Sequence, residues 1–306
     1  MAKTAAVVGC GTIGAGWVAR LLLNGCSVKA YDANPASLRA LSGVLEQARI
    51  SSIALNERSA PEGELTLCEN LEQCLADAEL VLESLPENLA SKKQLYAQAE
   101  NHISPTCWLL SSTSGFKPTD LASDLRHPER FLVCHPFNPV YLIPLVEVVP
   151  HAMCTEASRQ QCLDFLRDLD MQPLLVRKEI DGHIADRLLE AMWREALWLV
   201  HDEIATTEEI DAAIKGGFGL RMAQMGLFET YRLGGGDGGF ASFLEQFGPA
   251  LKWPWSHLTE VPDLDQALIR KIVSQSDAQT GDASHAQRVR DRDRKLVAIL
   301  RALRDS

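Results

Sequence analysis

Apolar residues follow two rhythms along this chain. Up to about residue 150, short apolar runs at 4–8, 28–31, 80–83, 108–111, 131–134 and 145–149 predict β-strands. Between them, segments such as 15–24 and 36–48 repeat apolar positions at helical spacing. This alternation predicts a mostly parallel, doubly wound sheet. The rhythm then changes. Thr155 opens a helix reaching about Leu169, a short strand comes next at 173–176, and no strand pattern occurs from His183 onward. Ile184, Leu188, Met192 and Ala196 keep helical spacing through 184–201. Thr206 and Glu209 form a capping box for the next helix, which stops near Gly216 and Gly217. The expected fold class is α/β, with a doubly wound sheet domain over residues 1–181 and an all-helical domain over 182–306.

Composition narrows the function. A length of 306 residues suits two domains, and 46% apolar with 23% charged residues is ordinary for a globular protein. A net charge of −11 makes the chain a poor partner for nucleic acid or an anionic membrane. The densest apolar stretch, 140–149, is broken by Pro144 and Glu147 and is too short to span a bilayer. The N-terminal apolar run breaks at Gly9, which argues against a signal peptide and for a cytosolic protein. The 8 cysteines contain no C-x-x-C pair. They read as reduced, buried small residues, and neither a metal nor a disulfide is expected.

Gly9-Cys10-Gly11-Thr12-Ile13-Gly14 is a G-x-G-x-x-G motif placed directly between a predicted strand and a helix. In that context the glycines serve a tight turn, the approach of a pyrophosphate and close helix–strand packing, and the phosphates meet the helix N-terminus. Asp32 ends the second strand, where an acid accepts from ribose hydroxyls and repels a 2′-phosphate. No arginine adjoins it, so NAD is expected rather than NADP, bound by a Rossmann-like domain.

His135-Pro136-Phe137-Asn138-Pro139 ends another predicted strand, on the ligand side of an open α/β sheet. Glu147 lies beyond the prolines on the next apolar run, and an antiparallel return would bring it against His135. A carboxylate beside an imidazole orients it as a general base. Ser111-Ser112-Thr113-Ser114-Gly115 ends a further strand at the same edge and offers hydroxyls for a substrate alcohol. A structural histidine and a helix-capping serine cluster are the plain alternatives. Spacing alone reaches an NAD-dependent oxidoreductase with a histidine base.

Taken in order, Gly9–Gly14, Ser111–Ser114, His135–Pro139, Glu147 and Gly182–Leu189 resemble the 3-hydroxyacyl-CoA dehydrogenase family over roughly residues 4 to 260. The resemblance implies a Rossmann-like domain, a helical domain that makes a homodimer, and catalysis between them. It implies that His135 is the base, Glu147 its partner, Ser111 the contact to the substrate hydroxyl, and Asn138 the asparagine after the catalytic histidine. It also places Glu87 and Lys92 near the nicotinamide half of the cofactor.

Two departures from the acyl-CoA members stand out. Asp186 replaces their usual asparagine, and Gly219-Leu220-Arg221-Met222 replaces a proline-containing turn. Residues 184–197, the Ser-Ser-Thr-Ser-Gly run and 246–251 are instead similar to the branch that oxidises the 3-hydroxyl of L-carnitine with NAD. A quaternary ammonium is read by aromatic faces and a nearby carboxylate. Residues 193–255 hold ten aromatics, Trp193 and Trp253 among them. Phe137, Phe247 and Asp186 are the expected substrate contacts. Residues 33–66 offer CoA phosphates only Arg39, Arg49 and Arg58. A 3-hydroxyacyl-CoA dehydrogenase, a gulonate-type dehydrogenase and a non-catalytic, crystallin-like NAD-binding protein are the rivals.

Overall fold

The structure is a computed structural model that describes residues 4–55, 61–235, 237, 239–249, 255–257, 263, 265–280 and 284–304. The chain divides into two compact units. The first runs to Asp186 and includes Asp293–Val297; the second comprises Arg187–Arg292 and Ala298–Ser306.

The first unit is built on an eight-stranded sheet. Its strands are β1 (Thr4–Val8), β2 (Ser27–Tyr31), β3 (Leu65–Leu67), β4 (Leu80–Glu83), β5 (Trp108–Ser111), β6 (Phe131–Pro136), β7 (Leu145–Pro150) and β8 (Gln172–Leu175). Their spatial order is β3-β2-β1-β4-β5-β6-β7-β8. Only β6 and β7 pair antiparallel; the other six pairs are parallel. Helices α1 (Thr12–Leu23), α2 (Pro35–Leu55), α3 (Leu71–Leu75), α4 (Leu89–Ala99), α5 (Pro118–Leu121) and α6 (Glu156–Asp168) belong to this unit.

Strands covered on both faces need apolar residues at successive positions, which is why β1, β4 and β6 read as unbroken apolar runs. Ala6, Val8, Val81, Leu109, Phe131 and Val133 share one buried cluster with Leu95 and Tyr96 of α4. Their alternate neighbours, Ala5, Val7, Leu80 and Leu132, are fully buried as well. All eight cysteines are buried thiols outside any disulfide. With its core filled this way, the sheet presents polar residues at the strand ends, where Glu83, Ser111 and His135 stand.

Two elements differ from the sequence expectation. β3 carries no apolar run: it is an edge strand of three residues, only partly covered, between Glu64 and Cys68. Helix α2 continues past residue 48 to Leu55, because Ser51 and Ser52 prolong the buried face of Leu41, Leu45 and Ala48. Serine in a buried stripe counts as polar in a sequence pattern, so the apolar rhythm stops short of the helix end.

In the second unit α7 (Ala185–His201) is followed by α8 (Thr207–Gly216), α9 (Phe218–Met222), α10 (Leu227–Gly234), α11 (Gly239–Phe247), α12 (Gln266–Thr280) and α13 (His285–Arg304). The Thr206–Glu209 capping box is present at the start of α8. No strand occurs among the described residues after β8. No helix among them is long and apolar enough to cross a membrane.

Candidate active site

The glycine loop joins β1 to α1 and answers to two constraints. Gly9 has φ +90°, and a Cβ there would lie 2.6 Å from the Ser84 carbonyl oxygen. A Cβ on Gly14 would lie 1.7 Å from the Gly9 oxygen. Both positions therefore require glycine for the loop to close at all. Gly11 differs, since a Cβ there meets no described atom within 4 Å. Nothing in the described chain requires glycine there, and the open space beside it has room for a phosphate. Gly11 also begins α1 without a side-chain cap, so the first-turn N–H groups around Thr12 and Ile13 stay open to an anion.

Asp32 follows β2 and braces this loop. Its Oδ2 accepts from the Cys10 amide at 2.7 Å, and its Oδ1 accepts from the Asn34 amide at 2.7 Å. The loop, the helix start and the acid thus fit an adenosine diphosphate moiety. Helix α1 is also tied to the neighbouring strand ends. Trp17 Nε1 donates to Ser112 Oγ at 3.0 Å, and Arg20 Nε donates to the Val140 carbonyl at 3.1 Å.

His135 and Glu147 meet through the antiparallel ladder. They are directly opposed across β6 and β7. His135 Nδ1 lies 3.0 Å from Glu147 Oε2. Glu147 has no exposed surface and His135 is 6% exposed. The other carboxylate oxygen, Oε1, accepts from the amides of Ile184 at 2.9 Å and Ala185 at 3.0 Å, at the start of α7. Burial alone would raise the Glu147 pKa. The hydrogen bond from His135 and the two amides outweigh burial and hold it below the usual carboxylate value. An ionised Glu147 makes Nδ1 the protonated nitrogen, and Nε2 is then the acceptor.

On that side Asp186 Oδ2 lies 3.8 Å from His135 Nε2. The Phe137 ring is half-buried, with its centroid 4.7 Å from that of His135. Asn138, beside them in sequence, is exposed. His135, Glu147, Asp186 and Phe137 are therefore gathered in one place.

Other expected residues stand elsewhere. Ser111 is fully buried, and its hydroxyl donates to Glu83 Oε2 at 2.7 Å. The same oxygen accepts from Tyr96 at 2.6 Å, while Glu83 Oε1 takes Lys92 Nζ at 2.7 Å. Burial, then the Glu83 charge, push the Tyr96 phenol well above its ordinary range. Ser111 and Lys92, the latter 1% exposed, thus belong to a buried polar cluster under the strand ends. They do not present free groups to a ligand. Glu87 links this cluster to the surface: it lies 3.4 Å from Lys92 Nζ and accepts from the Gly115 amide at 3.0 Å. Ser114 is half-buried and its hydroxyl makes no hydrogen bond among the described residues, so it is the member of the serine run left for a ligand. Sequence reasoning misses Glu83 and His183. Glu83 has a signal, a lone carboxylate at the end of an apolar strand; His183 has none.

Phe247 ends α11 in the second unit, 46% exposed, with its ring 4.8 Å from Phe243. Phe243 stacks on Tyr231 at 4.6 Å. Trp253, Arg58 and residues 250–251 lie outside the described residues. Arg49 is engaged by Glu62 at 2.6 Å, which leaves the stretch after β2 poorer still in cations for CoA.

The NAD-binding domain of 3-hydroxyacyl-CoA dehydrogenase matches residues 4–180, and the C-terminal domain of the same enzyme matches residues 182–271. L-carnitine dehydrogenase/betainyl-CoA thioesterase of Ruegeria pomeroyi is 48% identical over 98% of this chain, which spans 62% of that relative's length. L-carnitine dehydrogenase of Oceanobacillus iheyensis is 43% identical over 99% of both chains. Among solved structures, 5-formyl-3-hydroxy-2-methylpyridine 4-carboxylic acid 5-dehydrogenase, an NAD+-dependent dismutase, superposes with a TM-score of 0.83 at 27% identity over 99% of each chain. Matched in order through both domains, with its glycine loop and Asp32 in place for NAD, the chain belongs to the 3-hydroxyacyl-CoA dehydrogenase family.

Proposed function

We propose that the chain is a cytosolic, NAD-dependent dehydrogenase that oxidises the 3-hydroxyl of L-carnitine to 3-dehydrocarnitine. The observation that carries this reading is the position of His135 between two carboxylates. Glu147 fixes Nδ1, and Nε2 faces Asp186 at 3.8 Å. His135 Nε2 takes the hydroxyl proton, and Glu147 stabilises the imidazolium that results. Asn138, next to the base loop, and Ser114 hold the oxygen as it becomes a carbonyl. Gly9, Gly11, Thr12, Ile13, Gly14 and Asp32 would hold the adenosine diphosphate part of NAD and Glu87 would border its nicotinamide half, where the bound cofactor would supply the acceptor for the C3 hydride.

Asp186 deepens the choice of substrate. In carnitine the quaternary nitrogen is two bonds from the reacting carbon. Asp186 lies on the Nε2 side of His135, and a cation about 5 Å from it would be attracted by on the order of 1–3 kcal/mol for an effective dielectric constant of about 20–80. Phe137 adds an aromatic face beside the base, and we assign Phe247 the same role toward the methyl groups. Relatives named for L-carnitine dehydrogenation support the reading. We assign a homodimer as its assembly, since Leu188, Trp193 and Phe228 of the second unit are 59%, 59% and 74% exposed. A sedimentation mass near one chain would overturn that assignment.

The test is NADH formation from NAD with L-carnitine, D-carnitine, L-3-hydroxybutyryl-CoA and L-gulonate. Turnover with L-carnitine and its loss by about 100- to 10,000-fold in His135→Ala, with NAD affinity retained, is the expected result. Turnover with the CoA ester alone would sink the substrate assignment. Silence with all four would favour a non-catalytic NAD-binding role.

A further inference from the structure

His183 carries two unfavourable features at once. It is fully buried, and among the described residues its ring nitrogens have only loose polar contacts, to the backbones of Thr113 and Ile180, with no hydrogen bond of good geometry. Its backbone is also left-handed, with φ +49°, directly after Gly182 at φ +70°. A histidine there is strained where a glycine is not. Strain of this kind, kept beside a reactive group, points to something the surroundings require.

The start of α7 supplies the requirement. The two amides immediately after His183, those of Ile184 and Ala185, both donate to Glu147 Oε1, at 2.9 and 3.0 Å. Successive N–H groups converge on one oxygen when the preceding residue turns left-handed, which makes a small anion cradle. The Gly182 amide donates to the Gly115 carbonyl at 3.0 Å, and this fixes the turn from its other side. The His183 ring lies against the catalytic ring, its centroid 5.6 Å from that of His135. Burial first, then the neighbouring His135, keep the His183 imidazole below its ordinary range. Glu147 and the backbones of Thr113 and Ile180 oppose this without overcoming it. The ring is therefore a neutral packing element beside a ring that must become charged.

We propose that His183 is a positioning residue for the His135–Glu147 pair. Its left-handed backbone aims two amides at Glu147, while its buried ring lies beside His135 without carrying that role. The assignment rests on His135 being the base, and its test does not depend on which substrate is turned over.

The experiment compares His183→Gly, His183→Asn, His183→Ala and His183→Phe. Glycine and asparagine accept a left-handed backbone; alanine resists it. In the protein without substrate, proton NMR reads the Nδ1–H of His135, whose bond to an ionised carboxylate moves it far downfield. That signal is expected in the wild type and in the Gly and Asn variants, and is expected to be lost in the Ala variant and, for the same backbone reason, in the Phe variant. With a turned-over substrate, kcat should fall by about tenfold or more for Ala and stay within about threefold for Gly and Asn, with KM for NAD unchanged throughout. Equal kcat and equal signals in Gly and Ala would overturn the backbone role. Loss of the signal in Gly and Asn would overturn it as well, and this holds even if the Ala variant does not fold. Inactivity of the Phe variant with its signal intact would mean that a His183 nitrogen takes part in the chemistry, which also overturns the proposal. A wild type that shows the signal but turns over no 3-hydroxy substrate would instead count against the proposed function.

Discussion

Glu147 stands directly across from His135 on the one antiparallel ladder of the sheet, with Oε2 3.0 Å from Nδ1. Register fixes this pair: a one-residue slip of β7 would turn the carboxylate to the other face. Glu147→Gln keeps the shape and removes the charge. The expected outcome is a fall in kcat of about 100-fold or more with little change in KM for NAD, read by steady-state kinetics. An unchanged kcat would remove Glu147 from the mechanism.

The same carboxylate makes a pH prediction. Its pKa is held below the unfolded value, so its contribution to stability is complete above that value and is lost as pH falls through the folded pKa. Wild type and Glu147→Gln should therefore differ most in denaturant midpoint at neutral pH. The gap should narrow below about pH 4. A gap that widened on acidification would contradict the ionised, hydrogen-bonded state.

Asp186→Asn tests how the substrate charge is read. For a cationic substrate kcat/KM should fall by about 10- to 100-fold, the equivalent of roughly 1.4–2.8 kcal/mol. An uncharged 3-hydroxy substrate should lose much less. Equal losses for the two would show that Asp186 acts on His135 and not on the ammonium.

Asp32→Ala removes two acceptors from the loop as well as the expected ribose contact. NAD affinity, measured by fluorescence titration, should weaken about tenfold or more, while kcat at saturating NAD stays near wild type. Unchanged affinity would overturn the assignment of this acid to the cofactor.

Lys92→Met tests the buried cluster. Glu83 would keep Tyr96 and Ser111 but lose its cation, and breaking such a pair costs about 3–5 kcal/mol. Chemical denaturation should record that loss. Wild-type stability with weakened NAD binding would mean that Lys92 serves the cofactor directly.

The contrast between His135 and Ser111 shows what a sequence can disclose. His135, Glu147 and the glycine loop are set by neighbours in the chain: a strand end, a proline turn, a strand-to-helix junction. Their placement comes from local patterns. Ser111 owes its environment to Glu83, 28 positions earlier on the adjacent strand, and the two are paired in register. Nothing local to Ser111 reveals that its hydroxyl is already taken. The same holds for Lys92, which reads as a solvated helix residue until β4 sets a carboxylate beneath it. His183 is silent for another reason: a left-handed histidine leaves no periodicity behind. β3 escapes because an edge strand of three residues needs no apolar run.

The two bonds from α1, Trp17 to Ser112 and Arg20 to the Val140 carbonyl, give the site a gauge. Besides the close packing of Gly16 on Val140, they join α1 to the segments after β5 and β6 without passing through the sheet strand by strand. These two side chains measure the distance directly. They have no chemistry of their own to perform, yet on the proposed reading they tie the helix that would meet the cofactor to the segment that follows His135.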